Sequence, residues 1–107
     1  MSETDLEDAV LTRFRRAIDE IYGEKIERVV LFGSRARGDA RPDSDYDVAV
    51  FLRPDFDFGV ELFKLADLST ELLMETGELI QAIPFRMGAY AERTPLMHEI
   101  RRTGMDL

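Results

Sequence analysis

Cysteine is absent from the 107-residue chain, and histidine occurs once, at His98. Disulfides, Cys-ligated zinc and iron–sulfur clusters are therefore excluded, and so is a multi-histidine metal centre. Basic residues are in deficit: 14 Lys and Arg stand against 22 Asp and Glu, a formal net charge of −8. General nucleic-acid binding rests on neutralising phosphates, so nucleic acid is not an expected partner. No apolar run approaches the roughly 18 residues of a membrane span, so no membrane association is expected. The acidic start MSETDLEDAV is no secretory signal. The expected setting is a reducing compartment, most simply the cytoplasm. Repeats and low-complexity tracts are missing too. What is present is enough apolar material, 45% of residues, to build a core. The length suits a single domain over 1–107. So small a domain buries roughly two-thirds of its unfolded surface. A large ligand must then sit at its edge, and a second subunit, as in a homo-oligomer, would help to enclose it.

Periodicity gives the elements. Thr4 and Glu7 fit a capping box opening a helix from about Asp5 to Tyr22, with Leu6, Val10, Phe14, Ala17, Ile18 and Ile21 at helical spacing. RVVLF, Arg28 to Phe32, is short, β-branched and bounded by glycine, so it reads as a buried strand. Gly33 to Ser44 is a charged loop with room for a helical turn at Ser34–Arg37, and Asp45 to Leu52 is the second strand. A helix follows over Gly59–Glu75, with a broad apolar face of Leu62, Phe63, Leu65, Ala66, Ser69, Leu72 and Leu73. A third strand spans Glu78–Phe85, closed by Pro84. Thr94 caps a last helix that has Pro95 at its first position, with Leu96, Met97 and Ile100 inward and Gly104 at its end. One sheet with helices against it, an α+β (α/β) fold, is the economical architecture.

The chemistry concentrates between Gly33 and Asp47. Alternation along a strand puts Asp45 and Asp47 on one face, about 7 Å apart at a rise of roughly 3.3 Å per residue. Two carboxylates so placed, with no lysine between them, repel each other unless a divalent cation sits between them. Magnesium suits such all-oxygen ligands and commonly adds phosphate oxygens. Gly33 lets backbone approach a phosphate, and Ser34 adds a hydroxyl and an N–H. Arg35 and Arg37 are candidates for phosphate charge, Arg35 the stronger one. Ser34 is not a nucleophile, because no histidine or lysine base is near in sequence.

GSRARGDARPDSDYDVAVF resembles the signature of the polymerase-β-like nucleotidyltransferase superfamily, a Gly-Ser pair followed by Asp-x-Asp. The short single-domain layout is similar to the minimal nucleotidyltransferase (MNT) branch, related to the catalytic domain of kanamycin nucleotidyltransferase. The specific motif lies in residues 29–52. The resemblance implies a nucleotidyltransferase fold with a small mixed sheet. It implies that Asp45 and Asp47 bind Mg2+ and a nucleoside triphosphate, ATP first, as the catalytic acids, and that Gly33, Ser34 and Arg35 contact the nucleotide. A hydroxyl then attacks the α-phosphorus and pyrophosphate leaves, with two metals able to stabilise the entering and leaving oxygens. It also implies a HEPN-domain partner in a toxin–antitoxin pair, in which some antitoxins transfer AMP to a tyrosine of the toxin. An acidic surface suits such a basic partner.

One position departs from the pattern. Active members carry a third carboxylate on the following strand, where this chain has Gln81. A glutamine brings no charge and cannot act as a base. Glu78 lies three residues away, on the opposite face by parity, unless a bulge redirects it. Asp55, Asp57 and Glu61 are the other candidate substitutes. The expectation is that magnesium-nucleotide binding survives better than transfer, leaving open an antitoxin that acts by binding alone. Phe56, Phe58 and the stretch Phe85 to Tyr90 read first as packing, and His98 as a surface or packed residue rather than a catalyst.

Overall fold

The computed structural model describes residues 8–107. Among the described residues the first helix, α1, spans Ala9–Tyr22 and starts after Asp8 rather than at the expected Asp5. Thr4 and Glu7 lie outside the described residues. Asp8 is the cap, its Oδ1 accepting from the Leu11 N–H at 3.0 Å, which satisfies one of the amides a helix start leaves free. A 3₁₀ turn at Gly23–Lys25 leads into β1, Ile26–Phe32. A single turn of helix, α2, occupies Ser34–Arg37, and β2 runs Tyr46–Leu52. Then come α3, Phe58–Thr76, and β3, Ile80–Arg86. The last helix, α4, spans Pro95–Thr103 with Thr94 and Pro95 in the expected roles, and a two-residue strand, β4, follows at Met105–Asp106.

The sheet order is β3-β2-β1-β4. β1 is antiparallel to β2 and to β4, while β2 and β3 are parallel through the α3 crossover. The fold is thus α+β with a mixed sheet, as expected. β4 was not expected: its two residues carry no alternation to read, and the close approach of the chain before it, where a Cβ on Gly104 would collide with the Ile100 carbonyl and Val30, is tertiary. Pro84 does not close β3 but sits within it, opposite Val50. Proline is tolerated there because β3 is an edge strand, where a missing N–H faces no neighbour.

β2 is central and buried on both faces, which is why VAVFL is a continuous apolar run. Tyr46, Val48 and Val50 pack beneath α1 and α3, against Phe14, Ile18, Leu65 and Leu72. Ala49 and Phe51 face the other way, against Met97 and Ile100 of α4. Asp47 has the parity of Ala49 and Phe51, so the acids belong to the α4 side of the sheet. The broad apolar face expected on α3 is narrower. Leu65, Leu68, Ser69, Leu72 and Glu61 are buried, whereas Leu62, Leu73, Phe63 (76% exposed) and Met74 (83%) point to solvent. One helix against one sheet face can bury only one stripe of its surface.

Candidate functional site

β1 ends and β2 begins at the Phe32–Asp47 pair. Directly after Phe32 the chain must turn sharply, and Gly33 does so with φ +76°, a conformation that disfavours a side chain. The fit is steric as well, since a Cβ on Gly33 would collide with Asp47 Oδ2. The Gly33 carbonyl accepts from the N–H groups of Ala36 and Arg37, both at 3.1 Å, and so starts α2 with the half-buried Ser34 at its first position. A small-residue corner and a carboxylate are thereby held in van der Waals contact.

Asp45 immediately precedes β2, and Asp47 is its second residue. The two act on each other: burial first and the Asp45 charge second push the Asp47 pKa up from the ordinary carboxylate value, opposed by the Arg37 cation. A site that destabilises its own negative charge is one that a cation would relieve. Gln81 stands where the third acid was sought, in register beside Asp47 on the parallel strand β3. Its Nε2 donates to Asp45 Oδ2 at 2.7 Å. The amide thus neutralises nothing but fixes the orientation of Asp45. Among the described residues no group of three or more His, Cys, Asp or Glu is clustered to hold a metal. Two carboxylates alone leave most of a magnesium ion's oxygen shell to be supplied by other ligands, such as phosphate oxygens.

Arg35 is placed on loop duty. Its Nε and Nη2 donate to the Ser44 carbonyl at 3.1 and 2.7 Å, and Nη2 also reaches the Pro42 carbonyl at 3.3 Å. The guanidinium stacks 4.1 Å over the Tyr46 ring and lies 3.6 Å from Glu78 Oε2. These contacts brace the loop that delivers Asp45. Arg37, not Arg35, is the cation whose field reaches Asp47, and it also lies 3.3 Å from Asp39 and 3.7 Å from Glu99. On the one-turn helix α2, residues two apart leave the axis about 200° from each other, so Arg35 and Arg37 set out in different directions.

The other expectations separate cleanly. Glu78 is spent on Arg35, as parity required. Asp55, Asp57 and Glu61 follow the far end of β2 and cannot complete the site; Asp57 caps α3 by accepting from the Val60 N–H at 3.0 Å. Phe85 and Tyr90 pack on Phe51, with ring centroids at 5.4 and 5.6 Å. Phe56 is half-buried while Phe58 is exposed, and His98 is exposed on α4. Sequence reasoning missed the Tyr46 hydroxyl, which donates to Asp8 Oδ2 at 3.0 Å and ties β2 to the cap of α1. Burial and Asp8 push its pKa up to about 12, with Arg35 opposing.

Comparison with known proteins agrees with this geometry. A nucleotidyltransferase domain family model matches residues 11–87. A Methanocaldococcus jannaschii protein named "Putative protein adenylyltransferase MJ0604" is 36% identical over 77 residues, covering 72% of this chain and 71% of its own. Two solved structures share the fold. A nucleotidyltransferase from Sulfolobus solfataricus, itself of putative function, superimposes with a TM-score of 0.63 at 16% identity, over 91% of this chain and 75% of that one. A toxin–antitoxin structure with AMP-PNP gives 0.62 at 18% identity, over 88% and 69%. No helix among the described residues is long and apolar enough to cross a membrane. The corner of Gly33 and Ser34, the acid pair at the adjoining strand end and the match over residues 11–87 converge: this chain belongs to the nucleotidyltransferase domain family.

Proposed function

We propose that the chain binds a magnesium–nucleoside triphosphate, ATP first, at the β1–β2 sheet end and transfers a nucleotidyl group to a protein acceptor. The observation that carries this reading is Asp47, coupled in charge to Asp45, pressed against Gly33. Asp45 and Asp47 would hold the magnesium ion, which when bound offsets negative charge on the phosphates. Gly33 lets Asp47 close against the backbone and would present its own backbone to a phosphate, Ser34 supplies a hydroxyl beside it, and Arg37 adds positive charge at the same rim. An acceptor hydroxyl attacking the α-phosphorus would displace pyrophosphate. The adenylyltransferase name of the M. jannaschii relative supports AMP and a protein acceptor. Calorimetric titration with magnesium-ATP, run beside a radiolabelled transfer assay, tests it. The wild type should bind, and Asp45→Ala with Asp47→Ala should lose binding by about 100-fold or more, since removing even an outer-shell partner of a metal ligand costs roughly 10–100-fold. Undiminished binding by the double variant contradicts the reading.

A second reading is an antitoxin that neutralises a HEPN-type toxin by binding, with little chemistry. Two observations favour it. Gln81 offers Asp45 an N–H donor where a third acid would sit. The outer face of α3 leaves Phe63 and Met74 exposed, and exposed apolar side chains in a row suit a protein partner. The toxin–antitoxin fold neighbour gives the pairing its context. Neutralisation retained by the double aspartate variant supports this reading, and neutralisation lost supports chemistry.

A further inference from the structure

Asp45 and Asp47 together present two carboxyl groups, each with two acceptor oxygens. Half of those oxygens are engaged. Asp45 Oδ2 accepts from Gln81 Nε2 at 2.7 Å. Asp47 Oδ2 lies in the space that a Cβ on Gly33 would need, so it faces backbone. The remaining oxygen of each acid accepts no hydrogen bond from the described residues. One such oxygen from each of two acids is a ligand set for a single ion.

The placement of Gln81 follows from the sheet. β2 and β3 are parallel, with Asp47 and Gln81 in register, and neighbouring strands lie about 4.8 Å apart. Gln81 is exposed on the edge strand, and its bond to Asp45 is the one hydrogen bond its side chain makes among the described residues. The nearby carboxylates are paired with arginine: Glu78 lies 3.6 Å from Arg35, while Asp39 and Glu99 lie 3.3 and 3.7 Å from Arg37. No third acid joins Asp45 and Asp47 among the described residues. A second dication here would meet an amide and no further negative charge from the protein. Magnesium gives up its water reluctantly and is held by one or two carboxylates with substrate phosphates, so two ions sharing this pair would each be left short of protein ligands.

We propose that Gln81 restricts the site to one divalent ion: its amide engages Asp45 and occupies, without charge, the place beside the pair where a second cation would need a carboxylate. The inference rests on the reading that the acid pair takes a divalent ion together with a nucleoside triphosphate. Gln81 is then a positioning residue that acts through Asp45 and sets the number of ions.

The experiment is equilibrium dialysis of the full chain against manganese and an ATP analogue with a methylene group between its α and β phosphorus atoms, which cannot release pyrophosphate. The excess of manganese and of analogue on the protein side gives the ratio of ions to nucleotide bound. The parent should hold one ion per analogue. Gln81→Glu, which keeps the side-chain shape and adds a charge, should hold two. Gln81→Ala should stay at one ion and bind about tenfold more weakly, as loss of an outer-shell partner of a metal ligand does. A dispersed 15N spectrum reports that each variant is folded, and Gln81→Asp is carried beside Gln81→Glu as a second acid. Two ions per analogue in the parent, one in both acid variants, or an alanine variant that binds as tightly as the parent overturns the proposal and leaves the nucleotide reading standing. Analogue bound by none of the proteins, the parent included, overturns both.

Discussion

Gly33 and Asp47 are matched by exclusion: the carboxylate occupies the space that any Cβ at position 33 would need. Gly33→Ala therefore meets both a clash and a left-handed φ of +76°. A destabilisation of about 1–3 kcal/mol is expected from the strained backbone alone, read by chemical denaturation, together with loss of nucleotide binding. Asp47, the proposed metal ligand, is held at a cost. Its pKa is raised in the folded protein by burial and by Asp45, so the folded state holds the proton more tightly than the unfolded chain does. Its contribution is unfavourable once the pH rises through the folded pKa, and vanishes below the unfolded carboxylate value. Asp47→Asn should accordingly melt at a higher temperature than the parent at neutral pH. The gap should close as the pH falls into the carboxylate range. A parent that is the more stable at neutral pH would show that Asp47 has a compensating partner in the free protein.

At the scale of elements, two structures position the site: the one-turn helix α2 and the loop after it. Arg35 joins the loop carbonyls of Pro42 and Ser44 to the Tyr46 ring. Arg35→Ala should lower stability by about 1–2 kcal/mol, for charged hydrogen bonds at a part-buried site. Amide hydrogen exchange should show the loss concentrated between Gly38 and Asp45. On α3, a stripe of exposed apolar residues has no structural role in the described chain. Phe63→Ser with Met74→Ser should change stability by no more than about 0.5 kcal/mol, as surface substitutions do. The same variant should weaken capture of a toxin partner at least tenfold if that helix face is the contact; unaltered capture places the contact elsewhere.

The elements and the acid pair were legible because they rest on local signals. Periods of 2 and 3.6, Pro95 after Thr94, and Gly33-Ser34 followed by Asp-x-Asp are all read from neighbouring residues. The failures were tertiary. Nothing local says that α3 buries Leu68 while leaving Phe63 outside, since both are apolar and only the sheet decides which face is covered. Pro84 looked like a terminator because its tolerance depends on β3 being an edge strand. The partners of Arg35, Ser44 and Glu78, lie across a loop and just before β3, so no local pattern reveals them.

The whole molecule is a four-stranded sheet with distinct chemistry at its two ends. Acids and a small-residue corner mark one end, and cations around a cavity mark the other. The chain carries net charge −8, and its acid pair lies at a strand end rather than in a deep pocket. On the proposed function, divalent metal and triphosphate would fill the first end together, each offsetting the other's charge. The most direct measurement uses manganese in place of magnesium, added with ATP to the 15N-labelled chain, because the paramagnetic ion broadens only the resonances near it. The account predicts selective broadening of Gly33, Ser34 and Asp45 to Asp47, with Tyr22 and Glu61 sharp. Broadening centred elsewhere, or none in the presence of ATP, would contradict it.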